Sequence, residues 1–416
     1  MERHAAVIAL FLTVSPAFSQ IQLSAASSAP TSNPTDPDRI KALEFYQQHR
    51  MSEAVPLLVS VVSRYPNDVV AHERLGVALI GKSDADIDPA QAKADLVEAR
   101  AQLLKAQSLG DNSQLLRTLL EMVPDNGEHA AFSDKSSVDA AMRRGEAAFA
   151  QGKFDDALRE YATAYELDPT LYVAALDTGD IYFLLKQTSK AGGWFSRAIE
   201  INPNQETAYR YWGDALLQAG NYNEARSKYI QGLAAFPYST ASWSGIKNWL
   251  AVNHLSFNPV NIPIPASVTP SGKGGINISL DPSTLGKDDG SSAWIMYGAK
   301  RALWRQEKFA KEFPGEKEYR HSLKEEVDAL SLTVTGYNEQ KKSGKVKQPA
   351  QGLELLSRLQ ADNLLEPYVL IVKTDKDIAR DFPVYQSAHR DSLITFIDKY
   401  LVPPAPESSP NLTNIK

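Results

Sequence analysis

Between Val138 and Ser239 the chain repeats itself with a step of 34 residues. Gly145, Gly179 and Gly213 keep that step, and so do Ala157, Ala191 and Ala225. Tyr161, Phe195 and Tyr229 keep it as well, and so do Pro169, Pro203 and Pro237. A fixed period of this length specifies stacked helix–turn–helix units, because a single hairpin cannot bury its apolar face and must pile against its neighbours. The residue types suit such units. Glycine on the first helix admits a closely passing neighbour, and alanine does the same on the second helix. The aromatic residue fills the space between units, and proline ends the second helix because it cannot continue the hydrogen-bond ladder.

The pattern extends toward the N-terminus in looser form. Ala42, Phe45, Ala54, Leu58, Val61 and Pro66 fit the same frame, and Leu75, Gly76 and Leu79 begin another unit. Ala106 follows Gly76 by 30 residues, whereas Ala198 follows Gly179 by 19, so this unit holds 11 more. The insertion predicts a longer loop or an extended helix. Its Asp84-x-Asp86-x-Asp88 run has calcium-loop spacing but lacks the glycine and closing glutamate that such a loop needs. Leu115 to Val123 reads as one more helix, followed by a polar linker. Ser136-x-x-Asp139 then reads as the cap of the next helix.

These residues resemble the tetratricopeptide repeat, strongly over Val138–Ser239 and loosely over Asp36–Gly110. The resemblance implies a right-handed superhelix whose concave face is lined by the first helices. In that phase Met142, Glu146 and Phe149 line the face, with Leu176, Asp180 and Phe183, then Arg210, Asp214 and Leu217. Glu146, Asp180 and Asp214 form an acidic column with apolar neighbours. The column suits an extended or helical peptide carrying basic and apolar side chains, or else is a solvated row. The lysine, asparagine and arginine set by which some family members clamp a C-terminal carboxylate is missing, so that clamp is not expected. Gly232 stands where the family usually has alanine. Trp243, Ile246, Trp249 and Leu250 have the spacing of a helix that covers the end of the array, or of a helix belonging to the next domain.

Beyond residue 255 the repeat stops. Asn261–Ser267 and Ile276–Leu280 alternate apolar and polar residues around a glycine-rich turn, which predicts a short β-hairpin. Helices follow. The first carries Ile295, Ala299, Leu303, Phe309 and Phe313 on an expected inward stripe, with Trp294, Tyr297 and Trp304 flanking. A second, from Glu316 to about Val334, places His321, Glu325 and Glu326 on one helix. His321 and Glu325 could ligate one metal, but the second histidine of a zincin pair is absent. His389-Arg390-Asp391 lacks the glycine-rich loop and metal-binding asparagine of a kinase, and Gly272-Lys273-Gly274 lacks phosphate-loop spacing.

Composition narrows the function classes. A net charge of −6 disfavours nucleic-acid binding, and zero cysteines remove disulfides, thiolate metal sites and a cysteine nucleophile. Arg3 and His4 precede an apolar run from Ala5 to Val14, and Ala17 and Ser19 supply small residues ahead of Gln20. This predicts a cleaved signal peptide and a periplasmic or secreted protein with no membrane span in its mature form.

The expected organisation is all-α: a helical-hairpin solenoid followed by a mostly helical domain with a short hairpin. Its segments are a signal peptide (1–19), a disordered tether (20–36), divergent units (37–124), a linker (125–137), three regular units (138–239), a capping helix (240–255), a C-terminal domain (256–402) and a disordered tail (403–416). The expected function is a non-enzymatic scaffold that needs no cofactor or metal and binds a protein or peptide. The rival is an enzyme or a glycan- or small-molecule-binding protein, with Trp294, Tyr297, Trp304 and Tyr319 around His321 and Glu325. A third reading is a homodimer formed through an uncapped end of the array.

Overall fold

The computed structural model describes residues 32–406 apart from 49, 86, 87, 124, 128–130 and 272–274. The expected signal peptide and final residues of the tail lie outside the described residues, as does Asp86 of the aspartate run. Among the described residues the fold is all-α with one two-stranded antiparallel sheet. The chain divides into two compact units, the first ending at Pro203 and the second beginning at Asn204. The sequence pattern, by contrast, breaks after residue 255.

The first unit is a run of helical hairpins. Helices α1 (Pro37–Gln47) and α2 (Met51–Arg64) precede α3 (Val69–Ala85) and α4 (Pro89–Ser108). The Asp36 carboxylate accepts from the free amides of Asp38 and Arg39 and so starts α1. The insertion read from sequence is absorbed by longer helices. α3 has 17 residues and α4 has 20, against 13 to 15 in the regular units. Asp88 caps α4 by accepting from Ala90 N–H. After α5 (Gln114–Met122) come the regular hairpins, α6 (Ser136–Ala150) with α7 (Phe154–Leu167) and α8 (Tyr172–Leu184) with α9 (Thr188–Ile201). The expected Ser136–Asp139 cap is not made. Ser136 is already helical, and Asp139 accepts from Phe132 N–H and pairs with Arg143.

The aromatic residue expected to fill the space between units packs instead inside its own hairpin. A Cβ at Gly145 would lie 2.4 Å from the Tyr161 ring, and one at Gly179 would lie 2.7 Å from Phe195. Both are closer than real Cβ atoms approach. Each ring therefore packs over the glycine of its own unit. The second helices stop two residues short of proline, at Leu167 before Pro169 and Ile201 before Pro203.

The second unit begins with the third hairpin, α10 (Glu206–Gln218) and α11 (Tyr222–Ala235), followed by α12 (Thr240–Val252). Here too a Cβ at Gly213 would meet Tyr229 at 2.6 Å. Trp249 of α12 is fully buried and its indole donates to Tyr222 O. Strands β1 (Ala266–Pro270) and β2 (Ile276–Leu280) form a hairpin, with Val268 opposite Ile278; the second strand falls where expected, but the first begins at Ala266 and not at Asn261. Then α13 (Trp294–Leu303) runs on through a π-turn (Trp304–Lys308) to a last turn (Phe309–Glu312). Helices α14 (Leu323–Lys342), α15 (Gln351–Ala361), α16 (Leu365–Val372) and α17 (Phe382–Phe396) complete the unit. One hydrophobic core spans it, from Tyr229, Leu233 and Trp249 through Tyr297, Leu330 and Tyr337 to Tyr368, Phe396 and Leu401.

Two expectations fail in this unit. The first part of the stripe predicted to face inward on α13 faces outward, with Ile295 51% and Leu303 41% exposed, while its later member Phe309 is buried as expected and the flanking Trp294, Tyr297 and Trp304 are buried. Large rings remove more apolar surface from water than the aliphatic stripe does, and they set the helix rotation. The helix expected from Glu316 begins instead at Leu323, with Ser322 as its cap accepting from Glu325 N–H. His321 therefore precedes the helix, and His321 and Glu325 do not share a helical face.

Candidate functional site

The residue after each repeat glycine is acidic, and its surroundings differ from an open acidic row. In the first unit, Tyr161 donates its phenol to Glu146 Oε1 at 2.6 Å. In the second unit, Tyr229 donates to Asp214 Oδ1 at 2.6 Å. The carboxylate and the ring are 15 residues apart in both cases, which is the distance from the first helix across the turn to its packing partner. Asp180 occupies the matching position on α8, opposite Phe195, which has no hydroxyl to donate.

Phase in the repeat predicts that all nine candidate residues face a groove. Met142, Leu176 and Asp180 are instead enclosed, Asp180 to 1% exposure. The physical reason is visible in α8, whose sequence YVAALDTGDIYFL is apolar nearly all round, so the helix is buried from Tyr172 to Ile181. Glu146, Phe149 and Phe183 of the first unit are half-buried, as are Arg210, Asp214 and Leu217 of the second.

Burial dominates the electrostatics of both sets. It pushes the Glu146 carboxyl up to about 7, against the hydrogen bond from Tyr161. It also raises Asp177 well above the usual carboxylate range, with the charges of Glu146 and Asp180 adding to the shift. Sequence phase passed over Asp177, yet an aspartate three residues before another on an otherwise apolar helix is a visible signal. In the second unit burial raises Asp214, opposed by the Tyr229 phenol and Arg210. Arg210 pairs with Glu206 at 3.1 Å and lies over the Tyr211 ring.

Of the residues of the rival reading, Tyr297, Tyr319, His321 and Glu325 join one packed ion network, whereas the Trp304 indole donates to Asp328 instead. Arg301 donates Nε to Glu325 Oε1 at 2.5 Å and Nη1 to Glu326 Oε2 at 3.2 Å. Tyr297 donates to Glu326 Oε2 at 2.7 Å, and Tyr319 donates to Glu325. Glu325 and Glu326 are buried. His321 Nε2 lies 3.0 Å from Glu326 Oε2, and Nδ1 lies 2.7 Å from Asp375 Oδ2. Carboxylate oxygens at both ring nitrogens favour the form in which both nitrogens donate, the imidazolium. Burial pulls its pKa down, but the hydrogen bond and charge of Glu326 and the bond to Asp375 outweigh burial and the opposing Arg301 charge. Arg301 and Asp375 were not foreseen, since their partners are 24 and 54 residues away in sequence.

Among the described residues no group of three or more histidine and acidic side chains is arranged to hold a metal ion. Among them too, no helix is long and apolar enough to cross a membrane.

The tetratricopeptide repeat family model matches residues 113–172 and 142–206. Over these residues the chain carries tetratricopeptide repeats. The chain is also similar to parts of solved structures. The first tetratricopeptide domain of Spaghetti, bound to an HSP90 peptide, is 23% identical over 29% of this chain and 97% of its own, with a TM-score of 0.27. The TPR2AB domain of yeast Sti1 in complex with pHSP90 is 16% identical over 50% of this chain and 93% of its own, with a TM-score of 0.26. A tetratricopeptide repeat protein of Thermus thermophilus is 15% identical over 51% of this chain and 97% of its own, with a TM-score of 0.25.

Proposed function

We propose that this tetratricopeptide repeat protein is an exported, non-enzymatic scaffold whose repeats hold a protein or peptide partner. The observation that carries the reading is the in-phase repeat itself, with its glycine, aromatic and proline positions and its family match. Side chains left half-buried on the first helices give a partner apolar and acidic contacts: Phe149, Phe183 and Glu146 in the first unit, and Leu217 and Asp214 in the second. Such faces suit a peptide with apolar and basic residues. The non-enzymatic part is supported by His321, whose two nitrogens are both committed to carboxylates and leave none to act as a base. Export rests on the charged start, apolar run and small residues of positions 1–19.

The test is affinity capture with the full chain from a native envelope fraction, beside a variant carrying Phe149→Ala and Phe183→Ala. The variant is expected to melt as a folded protein and to bind the captured partner about tenfold more weakly, roughly 1.4 kcal/mol. Equal binding would remove the site from these residues, and recovery of only a small molecule or glycan would favour the rival. Terminal sequencing of the native protein should begin at Gln20; an intact Met1 would end the export reading.

A further inference from the structure

The β-hairpin of the second unit has one blunted edge and one open edge. Asp281 N–H bonds to Pro265 O, and Ser271 N–H bonds to Gly275 O. Together with the pairing of Val268 with Ile278, these bonds place the inward-directed backbone groups at odd positions. The N–H and C=O groups of Ala266, Val268 and Pro270 therefore point away from β2. Those of Ile276, Ile278 and Leu280 point away from β1. Pro270 has no N–H, so β1 loses a donor on its free side. β2 (INISL) contains no proline and no charge, the two devices by which natural edge strands avoid pairing. No backbone bond from another described element reaches its outer side.

The side chains add to this. Asn277 and Ser279 face solvent, whereas Ile278 lies over α13, where a Cβ at Gly298 would be 2.5 Å from its Cγ2. Ile278 is nonetheless 49% exposed, and Ile295, one turn from Gly298, is exposed as well. An open backbone edge beside apolar side chains fits an extended strand and little else, since an unpaired two-stranded sheet is marginal in water. The strand is also self-complementary. A two-fold axis through Ile278 sets Ile276 against Leu280 of a second copy and Ile278 against itself, and every outward donor then meets an acceptor.

We propose that β2 pairs antiparallel with β2 of a second copy, joining two hairpins into one four-stranded sheet across a homodimer. In that register Asn277 faces Ser279 of the other copy as a non-hydrogen-bonded pair, with Cα atoms about 4.5 Å apart, within the reach of a disulfide. The chain has no cysteine of its own, so introduced thiols report this contact alone.

The full chain is expected to show the mass of two copies by light scattering. Mixing the single variants Asn277→Cys and Ser279→Cys under oxidation should give several times more linked dimer than either variant alone. Ile278→Lys should return the mass to one copy. A monomeric wild type at every concentration overturns the proposal, as does a mixture that links no better than its components. Should Ile278→Lys misfold, the cysteine pair still decides, because both of its positions lie on the solvent face.

Discussion

A single hydroxyl distinguishes the middle repeat from its neighbours. Tyr161 and Tyr229 each satisfy a carboxyl group on the preceding helix, while Phe195 packs on its glycine with no hydroxyl to offer. The ring is thus the packing element, and the phenol is the partner of a half-buried acid. Tyr229→Phe keeps the ring and strips Asp214 of its donor, which should cost about 1–3 kcal/mol in denaturant titration. No loss would mean that solvent replaces the bond. Glu146 carries a pH consequence. Its folded pKa is raised above the unfolded value, so its contribution is full at acid pH and is lost as pH climbs through about 7. The free energy of unfolding should therefore decline between about pH 4.5 and 7. Glu146→Gln should flatten that decline and gain about 1–2 kcal/mol at pH 8, while leaving pH 5 nearly unchanged. An unaltered slope would place the titration elsewhere. The positions of these acids were legible from the 34-residue phase. Their burial was not, because phase gives the direction of a side chain and says nothing of what encloses it.

At the scale of elements, the N-terminus of α14 is organised by ions. Arg320 grips Asp381 with two nitrogens, at 3.0 and 2.6 Å, and Asp381 also accepts from Leu323 N–H. His321 bridges Glu326 of the helix to Asp375 in the loop after α16, with Arg301 and Tyr297 of α13 on the same Glu326 oxygen. The imidazole pKa is raised on folding. Its stabilisation is full below the unfolded value of about 6.5 and is lost as pH rises through the higher folded value. Hydrogen exchange across residues 373–381 should therefore quicken as pH passes above neutrality, after correction for intrinsic rates. His321→Gln should exchange quickly at every pH. A loop whose corrected rate stays flat with pH in the wild type would contradict the bridge. The helices themselves were legible here from apolar spacing, caps and prolines. Their rotations were not, because Trp294, Tyr297 and Trp304 outweigh the aliphatic stripe, and the start of α14 was marked by Ser322-x-x-Glu325, a local cap pattern that the apolar spacing passed over.

For the whole molecule, the change of sequence pattern and the seam between compact units fall at different places. The pattern ends after α12, but the third hairpin and α12 share their core with the helices that follow. Polar contacts reinforce that core. Gln386 Nε2 donates to the last carbonyls of α11, Ala234 and Ala235, and Tyr238 donates to Leu370 O. Arg226 of α11 donates to Val402 O and Pro403 O and pairs with Asp398, closing the C-terminal end of the final helix. Periodicity locates the hairpins because each repeats a local solution. It cannot show which neighbour a terminal repeat is packed against, since that depends on side chains more than 150 residues away. A fragment ending at residue 255 therefore exposes Leu233 and Tyr238 and leaves the α11 carbonyls open. A fragment of residues 204–416 keeps its core whole. The shorter cut is expected to lose protection throughout α10–α12 and to aggregate, while 204–416 should fold cooperatively with the hydrogen-exchange pattern it has in the full chain. If 37–255 proved fully protected and 204–416 did not fold, the third hairpin would belong energetically with the repeats before it, and the core shared with α17 would be a dispensable contact.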